Sequence, residues 1–170
     1  MPEIISYQPK YAEDFKNLNI AWLEKYFVVE PYDLEVLSFP EKYILEKGGN
    51  IYFAVENGKA IGTFALMYNE YGELEFTKMA VDETVQGKGF GNLLMQHCID
   101  EAKKMGGEEL ILYSNTSLKP AINLYEKFGF RRQKSGMAIY HGNETELQRF
   151  EEVGFILPEG YRFHDNEYEE

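Results

Sequence analysis

Three glycines at alternate positions, Gly87, Gly89 and Gly91, stand between a β-rich segment ending at Val81 and an amphipathic stretch beginning at Asn92. Few architectures use such a junction. Glycine lets the backbone turn left-handed and approach a ligand closely, leaving N–H groups free to point outward. A helix that begins directly afterwards adds the positive end of its dipole, so the junction is a ready anion site, suited best to phosphate. One glycine would suit a plain flexible turn, whereas three in alternation before a helix favour a ligand-holding loop. A Walker loop is excluded, because Lys88 is followed by Gly89 and not by Ser or Thr. A dinucleotide fingerprint fails as well: its third glycine would fall on Asn92 counted from Gly87, and on Leu94 counted from Gly89.

The flanks supply the order of elements. Ile4–Tyr7 reads as a short strand ended by Pro9, and Tyr11–Phe27 as a helix with Phe15, Leu18, Trp22 and Tyr26 at three- to four-residue steps. A shorter helical region from Leu34 to Leu45, interrupted at Pro40, closes at Gly48-Gly49. Asn50–Val55 and Ala60–Tyr68 read as a hairpin around Asn57-Gly58, and Glu73–Val81 as the third strand of the meander. Alternation in that strand would put Leu74, Phe76 and Lys78 on one face and Glu75, Thr77 and Met79 on the other. A helix over Asn92–Met105 has the apolar stripe Leu94, Met95, Cys98, Ile99 and Ala102. Leu110–Tyr113 follows as a buried strand, then a helix from Pro120 through Phe128 capped by Gly129. Two hairpins compete for the end of the sheet, Phe130–Lys134 with Met137–Tyr140 or Val153–Leu157 with Tyr161–His164. The first is preferred, with Glu144–Glu152 a helical extension. The expected fold is α+β: a mixed, mostly antiparallel central sheet flanked by helices.

Composition narrows the partners. A chain of 170 residues, 44% hydrophobic and 15% aromatic, can bury a core within one domain. The single cysteine, Cys98, excludes an intrachain disulfide and a cysteine cage for metal, and His97, His141 and His164 share no metal-site spacing. No metal is expected. No apolar run reaches membrane-spanning length and the start lacks a signal-peptide pattern, so a cytoplasmic protein is expected. Seventeen basic against 29 acidic residues give a net charge of −12, which opposes nucleic acid and anionic membrane as partners. The span 143–170 carries nine of the acids and two arginines, so residues 1–142 are expected to form the domain and 143–170 an acidic, solvated extension.

The pattern that does fit the glycine run is Gln-x-x-Gly-x-Gly, Gln86 through Gly91, after a strand. It resembles the acetyl-CoA pyrophosphate loop of the GNAT superfamily of N-acetyltransferases. A second match follows at the expected distance, Ala121-x-x-Leu124-Tyr125-x-x-x-Gly129-Phe130, preceded by Ser114–Pro120. The resemblance covers about residues 1–140 in element order and 74–130 in motifs. It implies a GNAT-like acyl-CoA N-acyltransferase fold and acetyl transfer from acetyl-CoA to a primary amine of a small molecule or peptide, with a homodimer as one assembly. In this family the donor lies in a slot between the fourth and fifth strands. By that resemblance, backbone groups around Met79, Ala80 and Val81 meet the pantetheine arm and the acetyl carbonyl. Gln86, Gly87, Lys88, Gly89, Phe90 and Gly91 form the pyrophosphate loop.

Acetyl transfer needs a neutral amine, a polarised thioester carbonyl and a proton for the departing thiolate. Tyr125 is the candidate acid: a phenol with an ordinary pKa of about 10 carries its proton at neutral pH, and the family commonly keeps that acid at this motif position. On an amphipathic helix it also reads as a packing tyrosine, one of thirteen. Glu75 is the candidate base, at a strand position where some family members place a catalytic glutamate; an outward glutamate or a water chain is the alternative. Asn115 and Asn123 are candidate contacts to the cofactor arm. No Cys–His or Ser–His pairing suggests a covalent intermediate, so direct transfer in a ternary complex is expected. The alternative function is a non-catalytic acyl-CoA-sensing module acting through a protein partner. The acceptor pocket is expected around Tyr26–Glu35, where three aromatics and three acids would favour a cationic amine.

Overall fold

The computed structural model describes residues 2–69, 71–106, 109–113, 119–132 and 137–141. The chain divides into two compact units, Met1–Gly72 with Phe76–Cys98, and Glu73–Glu75 with Ile99–Glu170.

In the first unit, strand β1 (Glu3–Ser6) leads to helix α1 (Ala12–Tyr26), helix α2 (Pro31–Ser38) and a π turn at Glu41–Leu45. Strands β2 (Asn50–Glu56), β3 (Lys59–Tyr68) and β4 (Leu74–Val81) follow, in the sheet order β1-β2-β3-β4. β1–β2 and β2–β3 pair antiparallel, the latter from Asn50↔Leu66 with a register shift between Ala54 and Val55. Asn57 (φ 53°) and Gly58 (φ 76°) are both left-handed, the geometry that an Asn-Gly hairpin turn selects. α2 starts where its sequence says it must. Pro31 sits in the first turn, and Glu30 and Asp33 form a capping box in which Glu30 N–H donates to Asp33 Oδ2 at 3.2 Å.

Period-two alternation along β2 separates two packed faces. Ile51 and Phe53 join Phe15, Val36, Leu37 and Ile44 in a core with almost no exposed surface. Tyr52 turns the other way, stacked on Phe64 at 5.0 Å between ring centroids, with the His97 ring edge-on at 5.3 Å. Burying one such aromatic is worth about 1.5–3 kcal/mol. An ion pair between solvent-exposed side chains contributes at most about 1 kcal/mol. Packing therefore holds this unit.

Helix α3 (Phe90–Lys104) carries the expected stripe, with Leu94, Met95, Cys98, Ile99 and Ala102 all buried. It begins at Phe90, two residues before the expected start, which makes Gly91 a helical residue. In the second unit, β5 (Glu109–Tyr113) pairs parallel to the start of β4 at Glu75↔Ile111. Helix α4 (Lys119–Lys127) and strands β6 (Arg131–Arg132) and β7 (Met137–His141) complete it, in the order β5-β7-β6. β5–β7 and β6–β7 are antiparallel, with Arg131 opposite Ile139, so the closing hairpin is the first of the two expected. The competing hairpin at 153–164 and the helical extension at 144–152 lie outside the described residues. The fold is thus α+β, with a mixed and mostly antiparallel sheet.

One expectation fails in β4. Leu74 and Phe76 are buried in alternation, but Thr77 and Ala80 are buried next and Lys78 has a left-handed backbone, φ 56°. Simple alternation therefore describes only the start of the strand, since Thr77 is buried next to Phe76 and the backbone turns left-handed at Lys78.

Candidate functional site

The glycine loop hangs from a strand end that is fixed from several directions. Asp82 N–H donates to Ile61 O at 2.8 Å, tying the end of β4 to β3. The Asp82 carboxylate accepts from the Thr84 hydroxyl at 2.7 Å and from Thr84 N–H at 2.9 Å, holding the 3-10 turn Glu83–Val85. The hydroxyl bond first, then the amide bond, keeps the Asp82 carboxyl below its usual range. Gln86 folds back, its Nε2 donating to Val81 O at 3.1 Å. Of the residues expected to hold the donor, the structure thus brings Gln86 of the loop and Val81 of the strand into direct contact.

Gly87 and Gly89 are left-handed (φ 84° and 86°), and a Cβ on either would meet nothing within 4 Å. Their glycine is required by backbone conformation and not by crowding. The space beside them is open, as a cradle for a large anion must be. Leu93 N–H donates to Gly89 O at 3.3 Å, so α3 grows directly out of the second glycine, anchored through buried Leu94, Met95 and Cys98. Lys88 is exposed, and Phe90 and Gly91 are half-buried. In the last residues of β4, Ala80 is buried and Met79 and Val81 are half-buried.

The second unit holds the acid–base candidates. Tyr125 is buried on α4, its ring edge-on to Phe130 at 6.1 Å, and Phe130 N–H donates to Tyr125 O at 3.0 Å where Gly129 (φ 103°) ends the helix. Asn123 is exposed on the same helix. Glu75 is half-buried opposite Ile111. Asn115 lies outside the described residues.

The span 26–35 is half helix. Its acids are engaged: Glu30 and Asp33 cap α2, and Glu35 accepts from the Tyr43 hydroxyl. Asp33 is also buried, with Oδ1 3.9 Å from Lys78 Nζ, and both side chains are mostly shielded from solvent. Tyr26, Val28, Tyr32 and Leu34 remain exposed. Sequence reading missed the Asp33–Lys78 pair, since no local signal joins a helix cap to a strand residue far along the chain. Cys98 is buried, and desolvation holds its thiol well above the usual range, which suits packing and not nucleophilic chemistry. Among the described residues no cluster of His, Cys, Asp and Glu is placed to hold a metal ion, and no helix is long and apolar enough to cross a membrane.

Comparison with known proteins adds to this geometry. The family described as Acetyltransferase (GNAT) family matches residues 14–130. The uncharacterized N-acetyltransferase YvbK of Bacillus subtilis is 34% identical over 107 residues, which are 61% of this chain and 69% of that protein. A GNAT-family acetyltransferase from Staphylococcus aureus Mu50 superposes with a TM-score of 0.75 at 20% identity, over 84% of this chain and all of the other. A GNAT-family acetyltransferase from Elizabethkingia anophelis with acetyl-CoA bound gives a TM-score of 0.57 at 20% identity, over 82% of this chain and 97% of the other.

Proposed function

This chain belongs to the GNAT family of acetyltransferases, and from that premise we propose that it moves an acetyl group from acetyl-CoA to a primary amine of a small molecule or peptide. The transfer is direct. The amine nitrogen attacks the thioester carbonyl, the C–N bond forms as the C–S bond breaks, the nitrogen loses its proton and the thiolate gains one.

The observation that carries this reading is the pair of left-handed glycines, Gly87 and Gly89, facing open space at the start of α3. Their amides and the helix dipole suit a pyrophosphate. Gln86 serves this loop by bracing it on Val81, which keeps the amides organised before the anion arrives. Backbone groups of Met79, Ala80 and Val81 are assigned to the pantetheine arm and the acetyl carbonyl, with Asn115 and Asn123 as further contacts to the arm. Tyr125 is assigned as the acid that protonates the thiolate, on its place in the Leu-Tyr-x-x-x-Gly-Phe motif and the proton an ordinary phenol carries at neutral pH. Glu75 is assigned as the base that takes the amine proton. Residues 1–142 are proposed as the catalytic domain and 143–170 as an acidic extension to it.

Thiol release from acetyl-CoA, followed across a panel of primary amines, tests the activity. Gly89→Val should weaken acetyl-CoA binding at least about tenfold, because a β-branched residue resists the left-handed backbone. Tyr125→Phe should lower kcat about a hundredfold with acetyl-CoA affinity unchanged. Acetyl-CoA binding without turnover of any amine would overturn the catalytic reading.

A further inference from the structure

Helix α1 presents two faces. Phe15, Asn19 and Leu23 recur at four-residue steps and are buried, which accounts for the core side. A second stripe, Asp14, Leu18, Ala21, Trp22 and Lys25, recurs at three- and four-residue steps. It lines a cavity of about 340 Å³, which is closed on its other side by Lys59, Val81, Asp82 and Glu83. Sites for small molecules run from about 300 to 1,000 Å³, so this cleft, open on one side, has room for a compact ligand. All of these residues belong to the first unit.

The charges on the wall select the ligand. Lys25 Nζ lies 3.4 Å from Glu83 and Lys59 Nζ 3.7 Å from Asp82, so both ammonium groups are already matched. Asp14 is left over: among the described residues no hydrogen bond or ion pair engages its carboxylate. Between these groups Leu18, Ala21 and Val81 offer apolar surface. The half-buried Trp22 indole is held against Tyr26 and Phe27, at 5.4 and 5.5 Å between ring centroids. One surplus negative charge over apolar and aromatic surface fits a monocation with an apolar body, and the net charge of −12 adds the same sign of field.

We propose that this cavity binds a small primary amine with an apolar or aromatic body, its ammonium on Asp14 and its body against Trp22. An anion of the same size would be repelled by Asp14. A polyamine would set its further charges against ion pairs already satisfied. The same amine chemistry has two sources, the acceptor of the transfer reaction or a separate ligand. The binding itself does not depend on the transferase reading.

Trp22 is the chain's sole tryptophan, so its emission reports on the cavity directly. Titration of the full chain with 2-phenylethylamine should give a saturable emission change that weakens as salt rises; 3-phenylpropionate should give none. Asp14→Asn should weaken the amine about tenfold, the loss expected of a charge-assisted hydrogen bond. Ala21→Phe, which fills the cavity from the same stripe, should abolish saturation and serves as the second variant should Asp14→Asn fail to fold. A response that does not saturate, equal binding of the propionate, or wild-type affinity in folded Asp14→Asn would overturn the proposal. Acetyl-CoA separates the sources. Acetylated phenylethylamine with a KM raised by Asp14→Asn assigns the acceptor, whereas bound but unmodified amine beside turnover of another amine assigns a separate ligand. Binding at Trp22 in a protein that acetylates nothing would support this cavity and overturn the transferase reading alone.

Discussion

Asn57 and Lys78 hold nearly the same left-handed backbone, φ 53° and φ 56°, in two different settings. Asn57 sits in a two-residue hairpin turn beside Gly58, where its short polar side chain tolerates the conformation and the strand twist demands it. Lys78 sits inside β4, where nothing in its neighbours Thr77 and Met79 asks for it. What distinguishes Lys78 is a distant partner, the buried carboxylate of Asp33 in the cap of α2. A left-handed residue other than glycine costs about 1–2 kcal/mol. The turn meets that cost with local chemistry and the strand with a tertiary contact. The difference teaches where to look for each: in the dipeptide for the turn, and in another element for the strand.

The sharpest test of the contrast is Asp33→Ala. It strands the Lys78 ammonium, shielded to 17% exposure, and removes half of the α2 capping box. It should lower unfolding stability by about 3 kcal/mol, read as the shift of a urea midpoint at constant m-value. A loss below about 1 kcal/mol would separate Lys78 from Asp33 and break the comparison. Lys78→Ala keeps the strained backbone and leaves Asp33 without its ion partner, at a cost of about 2 kcal/mol. Lys78→Gly should be about 1 kcal/mol milder than Lys78→Ala, because glycine adopts this φ freely. Equal losses in the two variants would mean that the backbone at 78 is not strained. Asn57→Ala should cost about 1 kcal/mol and Asn57→Gly close to nothing, measured in the same urea titration.

The smallest effect is a pH dependence that again joins a residue to a distant partner. Tyr7 donates to Glu41 Oε2 at 3.0 Å, and burial first, then that bond, pushes its phenol up to about 12. Between the ordinary 10.0 and about 12 the folded chain keeps a proton that the unfolded chain gives up. This contribution is therefore complete below pH 10 and lost as pH rises toward 12. Stability measured from pH 9 to 12 should fall less steeply in Tyr7→Phe than in the wild-type chain, and parallel curves would refute the assignment. The buried Cys98 thiol, also held up, adds a loss of the same sign in both proteins.

Much of the fold was legible because its signals are periodic and local. The α3 stripe Leu94, Met95, Cys98, Ile99 and Ala102 and the Asn57-Gly58 turn depend on φ preferences and on which residues share a face within a few positions. The glycine loop was legible for the same reason, since left-handed turns at Gly87 and Gly89 can be read without knowing what surrounds them. The start of α3 was misplaced because Gly91 resembles a loop residue, whereas helical hydrogen bonding from Gly89 onward and the buried Leu94 and Met95 carry it into the helix. Alternation along β4 was legible only as far as Phe76, because it assumes an uninterrupted strand and the backbone turns left-handed at Lys78.

By itself, then, the sequence determined the order of helices and strands, the anion-holding turn after β4 and the stripe that faces the core. Each is set by interactions between residues close along the chain. Tertiary structure alone decided that Lys78, left-handed within β4, lies beside the buried Asp33, and that the α1 stripe from Asp14 to Lys25 faces Lys59 and Val81 across a cavity. Those outcomes depend on which elements the fold brings face to face, where burial raises the cost of an unmatched charge beyond what local backbone preference can resist.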